Sequence, residues 1–215
     1  MKILHIDSSV RGDRSVSKAL SGLFVSGLTA KFPNAEVDYL DLSENTPNHP
    51  TALMIRGNYT PADERTAEML EELEESEALV EKLLSADIYV IGMPMYNFSV
   101  PSNFKAFIDN IVRINRTFTL SSTGSEGLLS GKKVFVINTR GVDFNNEHMQ
   151  QMDQLKPYLK TVFGFMGLFD IDFIDVSPVQ FSAEEARIKA IEAAKVAIAD
   201  AIDSFQFATQ DLIEK

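Results

Sequence analysis

The sequence predicts an α/β fold in which a parallel sheet is covered by helices on both faces. Five short runs rich in apolar and β-branched residues alternate with segments whose apolar residues recur three or four positions apart. Because two parallel strands need a long crossover between them, this alternation favours a parallel sheet over an antiparallel one. The five predicted strands are residues 2–6, 36–40, 88–93, 133–138 and 171–176.

The first two predicted helices follow the first two strands. Apolar residues at helical spacing run along one face from Val16 to Leu28 and define the first helix. The second helix is predicted to begin at Thr60, whose hydroxyl can cap it, because Pro61 suits the first helical position. It continues to Leu84 with an apolar face opposite a heavily acidic one, which is typical of a helix half exposed to solvent.

Three further helices complete the alternation. The third is predicted to begin at about Pro101, and the fourth runs from about Asn146 to Val162. The last begins at a capping box, in which Ser182 and Glu185 would each bond to the other's backbone N–H. We therefore predict one helix for each strand, and a single domain spanning residues 1–215.

Composition excludes several classes of function. The 215 residues include no cysteine, which excludes disulfide frameworks, thiolate zinc sites and cysteine nucleophiles. The net charge of -11, with basic residues scattered, disfavours binding to nucleic acid. No run of 18 apolar residues and no signal-peptide pattern occurs, so we expect no membrane association and a cytoplasmic location.

Ligands of parallel α/β sheets bind beyond the carboxyl ends of the strands, and the loop there after the first strand is rich in donors. It carries Ser9, Ser15 and Ser17, with Arg11, Arg14 and Lys18 nearby, and it ends where the first helix begins. Hydroxyls beside a helix N-terminus suit a phosphate monoester. The alternative interpretation is that Ser15 is simply a helix cap preceded by a polar turn.

Two other loops at this edge are unusual for simple connections. The third strand is followed by "PMYNFS", residues 94–99, whose methionine and aromatic side chains offer flat apolar surface beside the polar Asn97. The fourth is followed by "TRGV", residues 139–142, in which Gly141 permits a close backbone approach. Together these loops fit a planar heterocycle with a polar edge. Alternatively, Tyr96 and Phe98 pack on neighbouring helices.

Seven motifs in order along the chain resemble one family. They are "DSS", "SVS", "PMYNFSVP", "TFT", "EGLLSGKK", "TRG" and "PYLKTVFGFMG". In this order and spacing they resemble the FMN-dependent NADH azoreductases of bacteria, also described as NADH:quinone reductases. The likeness extends from the first strand to the last helix.

The resemblance implies a flavodoxin-like fold with strand order 2-1-3-4-5, a homodimer and non-covalent FMN. It also implies two-electron, ping-pong reduction of quinones and azo compounds with NADH as electron donor. Phe118 and the loop after it would lie over the flavin of a neighbouring subunit. Val142 departs from the family, which commonly has glycine there. The implied cofactor-binding residues are Ser9, Ser15, Val16 and Ser17 for the phosphate, Pro94, Met95, Tyr96, Asn97 and Phe98 for the flavin ring, and Thr139, Arg140, Gly141 and Val142 for its pyrimidine side.

No residue is assigned as a catalytic acid or base, and no metal is expected. His5 is predicted to be a core residue, and His49 and His148 are predicted to lie at the surface. A serine hydrolase is disfavoured because the G-x-S-x-G motif is absent. The main alternative is a flavodoxin-type electron carrier, which would share the acidic surface. The long connection of residues 118–133 favours the enzyme, because a carrier has less need of a wall over its flavin.

Overall fold

A computed structural model describes residues 1–207 of the chain, and its centre is a five-stranded sheet. The sheet order is β2-β1-β3-β6-β7, and every neighbouring pair is parallel. This is the predicted order 2-1-3-4-5, which is confirmed. The strands are β1 (Lys2–Asp7), β2 (Glu36–Asp41), β3 (Ile88–Pro94), β4 (Phe118–Ser121), β5 (Gly124–Gly127), β6 (Lys133–Thr139) and β7 (Asp170–Val176).

Helices cover both faces of the sheet, as predicted. On one face α1 and α7 pack against the central strands around Phe24 and Ile198, and on the other α3, α4 and α6 pack around Leu83, Phe107 and Leu159. β3 is buried along its whole length because both of its faces are covered. The helices are α1 (Val16–Lys31), α2 (Ala52–Tyr59), α3 (Ala67–Ser85), α4 (Ser102–Ile111), α5 (Glu147–Gln151), α6 (Leu155–Phe165) and α7 (Glu184–Ser204).

The predicted start of the second helix is wrong. Thr60 ends α2, an additional helix that the sequence analysis missed, and its hydroxyl donates to the carbonyl of Arg56. Pro61 precedes a single 3₁₀ turn, and α3 begins only at Ala67, capped by the hydroxyl of Thr66. Pro61 therefore suits a tight turn here rather than the first turn of the long helix.

Two other helix predictions need correction. The predicted fourth helix is two helices, because helical hydrogen bonding is interrupted between α5 and α6. Asp153 accepts hydrogen bonds there from the first backbone N–H groups of α6. Asn146 does cap α5, as its oxygen accepts from Met149. The capping box at Ser182 does not form, because α7 begins with Ala183 as its N-cap residue and without a side-chain cap.

A second missed element lies in the long connection before β6. β4 and β5 form an antiparallel hairpin that docks against the end of α6. A Cβ on Gly127 would come within 2.0 Å of the backbone nitrogen of Gly167, so only glycine permits this contact. The position of the hairpin therefore depends on a tertiary contact that its own Gly127 makes possible.

The length and apolarity of the helices in residues 1–207 can be compared with those that a membrane-spanning helix needs. None of them combines the length and apolarity needed to cross a bilayer. The longest, α7, exposes charged residues along most of its length and buries only Ala194, Ile198 and Ile202.

Candidate functional site

A cavity of about 400 Å³ lies at the carboxyl edge of the sheet, where the loops after β1, β3, β6 and β7 converge. Its size is within the range of small-molecule sites, roughly 300–1,000 Å³. All of the predicted site residues line it except Phe98, Arg140 and Val142. The lining is Ser9, Arg11, Ser15, Val16, Ser17, Pro94, Met95, Tyr96, Asn97, Thr139, Gly141, Val179, Gln180 and Phe181.

The first wall of the cavity is a cluster of buried hydroxyls at the start of α1. Ser9, Ser15 and Ser17 are each at most 4% exposed. The Ser15 hydroxyl accepts from the backbone N–H of Lys18 at 3.2 Å and lies 3.1 Å from the Ser17 hydroxyl. Ser15 is therefore a helix cap and a cavity residue at once, so the two interpretations of its role are compatible.

The second wall comes from the loop after β3. Tyr96 and Ser99 exchange backbone hydrogen bonds across a two-residue turn in which Asn97 and Phe98 have φ of +48° and +70°. This left-handed pair is typical of a type I′ turn, for which asparagine is well suited and phenylalanine is not. The Tyr96 hydroxyl lies 3.4 Å from that of Ser9, which joins the first two walls.

Phe98 does not follow either sequence interpretation. Its side chain is 41% exposed and is not part of the cavity lining, so it is not packed in the core, and its contact with the flavin ring stays a prediction. Its carbonyl accepts a hydrogen bond from the backbone N–H of Gln154, which ties the turn to the segment before α6.

The third wall is the end of β6 together with the loop after β7. Thr139 accepts a backbone hydrogen bond from Met95 at 2.8 Å. The carbonyl of Gly141 accepts from the N–H groups of Gln180 and Phe181, and a Cβ on Gly141 would come within 3.0 Å of the Phe181 ring. A side chain at position 141 would therefore push the Phe181 ring aside by a few tenths of an ångström.

Arg140 is directed away from the cavity. Its buried guanidinium pairs with Asp153 at 2.5 Å and Asp175 at 2.8 Å, and it lies over the Phe144 ring. Val142 is half-buried and also outside the lining. The backbone at Val142 does not have positive φ, so its conformation does not demand the glycine common in the family.

Sequence reasoning missed the residues after β7, and it named Arg11 only as a nearby charge. Val179, Gln180 and Phe181 line the cavity from a loop that carries no recognised motif. The signal that could have found them is topological, since β7 ends at the same sheet edge as the other loops.

Among residues 1–207, no aspartate or glutamate lines this cavity, although the full sequence has 31 of them. The charge of the neighbouring Lys18 is offset by its ion pair with Asp41, and the hydrogen bond to that carboxylate raises the pKa of Lys18 above its ordinary value, so the amine stays protonated. Burial and the charges of Asp7 and Asp41 raise the pKa of the neighbouring Tyr39 to about 12. A polar, acid-free wall of this kind suits an anionic group.

Two histidine predictions are confirmed, and no metal centre is apparent. His5 is 7% exposed and its Nε2 lies 3.0 Å from the Ser21 hydroxyl, as a satisfied core residue would, while His49 and His148 are exposed. Among the described residues, no three histidine, aspartate or glutamate side chains are arranged to hold a metal ion.

Comparison with curated proteins shows extensive similarity to one group of enzymes. The FMN-dependent NADH:quinone oxidoreductase of Nostoc punctiforme is 43% identical over 203 residues, which cover 94% of this chain and 98% of that protein. The protein of the same name from Delftia acidovorans is 42% identical over 196 residues, covering 91% of this chain and 92% of that one.

Comparison with solved structures supports the fold. An azoreductase from Bacillus anthracis superimposes with a TM-score of 0.87 at 23% identity, over 95% of this chain and all 100% of that one. An FMN-dependent NADH-azoreductase from Bacillus anthracis, solved in complex with FMN, gives 0.81 at 24% identity over 94% of this chain and 99% of that one.

The family follows from these similarities together. The family model named for the flavodoxin-like fold matches residues 1–201 of this sequence, which is nearly the whole described chain. The resemblance seen in the sequence motifs is thereby confirmed. The chain belongs to the flavodoxin-like fold family and, within it, to the FMN-dependent NADH:quinone oxidoreductases.

Proposed function

We propose that this chain is an FMN-dependent NADH:quinone oxidoreductase and azoreductase that reduces quinones and azo compounds by two electrons. The observation that carries the proposal is the acid-free cavity at the carboxyl edge, lined by buried serines on one side and by Met95 and Tyr96 on another. Its donor set matches a phosphate, and its apolar walls match a flat ring. The relatives named for this activity support the same conclusion.

The residues present fit FMN. The hydroxyls of Ser9, Ser15 and Ser17 would hold its phosphate, and so would the backbone N–H groups of Val16 and Ser17. Neither N–H has an acceptor among residues 1–207, as expected at a helix N-terminus that binds an anion. Residues 94–97 would contact the flavin ring and Thr139 and Gly141 its pyrimidine side.

For three of the implied residues we propose a main-chain role. The Arg140 guanidinium is occupied by Asp153 and Asp175, and the side chains of Phe98 and Val142 lie outside the cavity. The Arg140 carbonyl accepts from Val179 at 2.9 Å and so fixes the loop after β7, and the Phe98 carbonyl accepts from Gln154.

When bound, FMN supplies the redox chemistry, accepting a hydride from NADH and passing two electrons to the acceptor. The chain's own part is to bind, orient and shield. Because the described lining contains no histidine, aspartate or glutamate, we assign no side chain as acid or base. With FMN filling the cavity, we expect the donor and the acceptor to use the exposed face of the flavin in turn, which gives ping-pong kinetics.

The test is anaerobic rapid mixing of the purified, FMN-loaded protein with NADH. We expect rapid bleaching of the flavin absorbance without any other protein, followed by reoxidation on addition of a quinone. Initial rates at several quinone concentrations should then give parallel double-reciprocal lines. A flavin that NADH alone does not bleach, but that an added reductase does, would support the electron carrier instead.

We further propose that the protein is a cytoplasmic homodimer whose residues 1–215 form one FMN-binding domain. A homodimer is supported by the apolar side chains exposed around the β4–β5 hairpin, where Leu120 is 55% and Phe169 is 80% exposed. Phe118 was predicted to lie over a neighbouring flavin, but it is buried against Phe165 of its own chain, with ring centroids 4.6 Å apart. Leu120 is the exposed residue nearest to it along the chain.

Light scattering tests the dimer. We expect a dimer at micromolar concentration for the native chain and a shift towards monomer for Leu120→Asp. The matched control is Val196→Asp, which places the same charge on an equally exposed apolar residue of α7. A native monomer with full activity would rule out the assembly.

A further inference from the structure

Arg11 is the single cationic side chain in the described lining of the cavity, and its charge is not neutralised. Its Nη1 donates to the side-chain oxygen of Gln180 at 2.5 Å, which is a neutral partner. No carboxylate among residues 1–207 forms an ion pair with it. Arg113 and Arg140, by contrast, pair with carboxylates.

The bridge between Arg11 and Gln180 crosses the mouth of the cavity. Arg11 follows β1 and Gln180 follows β7, while β3 and β6 lie between them in the sheet. Three strand spacings separate the two loops, a span of roughly 14 Å. The guanidinium therefore lies across the path by which a ligand enters, on the solvent side of the walls described above.

We propose that Arg11 binds the anionic group of a substrate that enters this cavity, such as the pyrophosphate of NADH or the sulfonate of an azo compound. The proposal rests on the function proposed above. The chain carries a net charge of -11 and so repels anions at long range, which makes a local cation at the entrance valuable. A guanidinium suits this role because its planar donors match phosphate and sulfonate oxygens.

Gln180 explains how the guanidinium can be held without being neutralised. An amide oxygen orients Arg11 through one hydrogen bond and leaves its charge and its other donors available. A carboxylate in the same position would hold the side chain equally well but would cancel the charge. The hydrogen bond with Gln180 thus positions the guanidinium of Arg11 and leaves its positive charge free to bind an anion.

The first test compares Arg11→Ala with the native protein, both loaded with FMN. We expect the KM of the sulfonated dye methyl orange to rise about three- to tenfold, and that of its uncharged analogue dimethylaminoazobenzene to stay unchanged. The KM of NADH, measured with a neutral quinone, tells whether the donor uses the same contact. Arg14→Ala is the matched control, because Arg14 is exposed in the same loop but does not line the cavity.

The second test changes the charge without removing the arginine. Gln180→Glu should pair with Arg11 and raise the KM of the same anionic substrates, whereas Gln180→Leu, which removes the orienting hydrogen bond but leaves the charge free, should raise it less. Arg11→Lys should restore part of the loss, because it keeps the charge and loses the planar fork. Titration of the oxidised holoprotein with NAD⁺ and with methyl orange measures binding without turnover.

The outcomes separate this proposal from the proposed function. If the native protein fails to oxidise NADH, the function fails, while the two titrations still test Arg11. Equal KM changes for the charged and uncharged dyes, or unchanged affinity for NAD⁺ and methyl orange in both Arg11→Ala and Gln180→Glu, would overturn the role of Arg11. A loss of affinity for FMN but not for riboflavin in Arg11→Ala would assign the residue to the cofactor phosphate instead.

Discussion

Replacing Arg140 by alanine distinguishes a structural anchor from a cofactor ligand. The side chain is 4% exposed, and it joins the end of β6 to Asp153, at the start of α6, and to Asp175 in β7. Its removal leaves Asp153, only 12% exposed, without its cation. Two backbone N–H groups of α6 still donate to Asp153, so the cost should fall at the low end of that for a broken buried pair, about 3 kcal/mol.

The pair with Asp175 adds little. The Asp175 side chain is 40% exposed and still pairs with Lys156 when Arg140 is removed. The loss of the Arg140–Asp175 pair should therefore cost less than about 1 kcal/mol. The loss of about 3 kcal/mol from Asp153 alone predicts a fall in the unfolding temperature of roughly 6–12 °C for a chain of this size.

Urea unfolding of the apoprotein is the appropriate assay, because bound FMN would add its own stabilisation. We expect Arg140→Ala to lower the free energy of unfolding by about 3 kcal/mol while the refolded protein keeps its FMN affinity within a few fold. The control, Arg56→Ala, removes an exposed arginine from α2 and should change stability by less than about 0.5 kcal/mol. The reasoning is refuted if Arg140→Ala keeps native stability and loses more than tenfold in FMN affinity.

Three further predictions concern the cofactor, the hairpin and the effect of pH. Ser17→Ala should weaken FMN binding by roughly ten- to a hundredfold and leave riboflavin binding unchanged in fluorescence titrations, since riboflavin lacks the phosphate; equal weakening would contradict the assignment. Gly127→Ala should lower stability by about 1–3 kcal/mol in thermal unfolding because its Cβ would lie 2.0 Å from Gly167, whereas Gly22→Ala, with nothing within 4 Å, should not. Burial raises the pKa of the Tyr89 hydroxyl, so this group stabilises the fold below its unfolded pKa of 10.0 and loses that contribution as pH rises further. Above pH 10.0, the free energy of unfolding should therefore fall less steeply with pH in Tyr89→Phe than in the native protein. The expected difference between the two slopes is about 1.4 kcal/mol per pH unit, and equal slopes would refute this.

The parts of the fold that could be predicted are those whose signals are local. β3 and β6 are continuous apolar runs buried on both faces, so their sequences alone distinguish them from surface segments. The start of α3 could not be placed, because Thr60 with Pro61 and Thr66 are both plausible beginnings. The choice depends on α2, which packs against α3 and has too few residues to give a clear periodic signal.

The sequence by itself determined the alternation of strands and helices, the family, and the two loops whose serines, Met95 and Tyr96 line the cavity. It could do so because these features depend on residue type and on position along one chain segment, whereas the strand order followed only from the family resemblance. Only the tertiary structure decided which side chains meet. Gln180 reaches Arg11, 169 positions away, while Arg140 turns from the cavity to its carboxylates. Such contacts depend on the spatial order of β1 and β7 and on the competition between partners for one guanidinium, and neither is encoded in a local pattern.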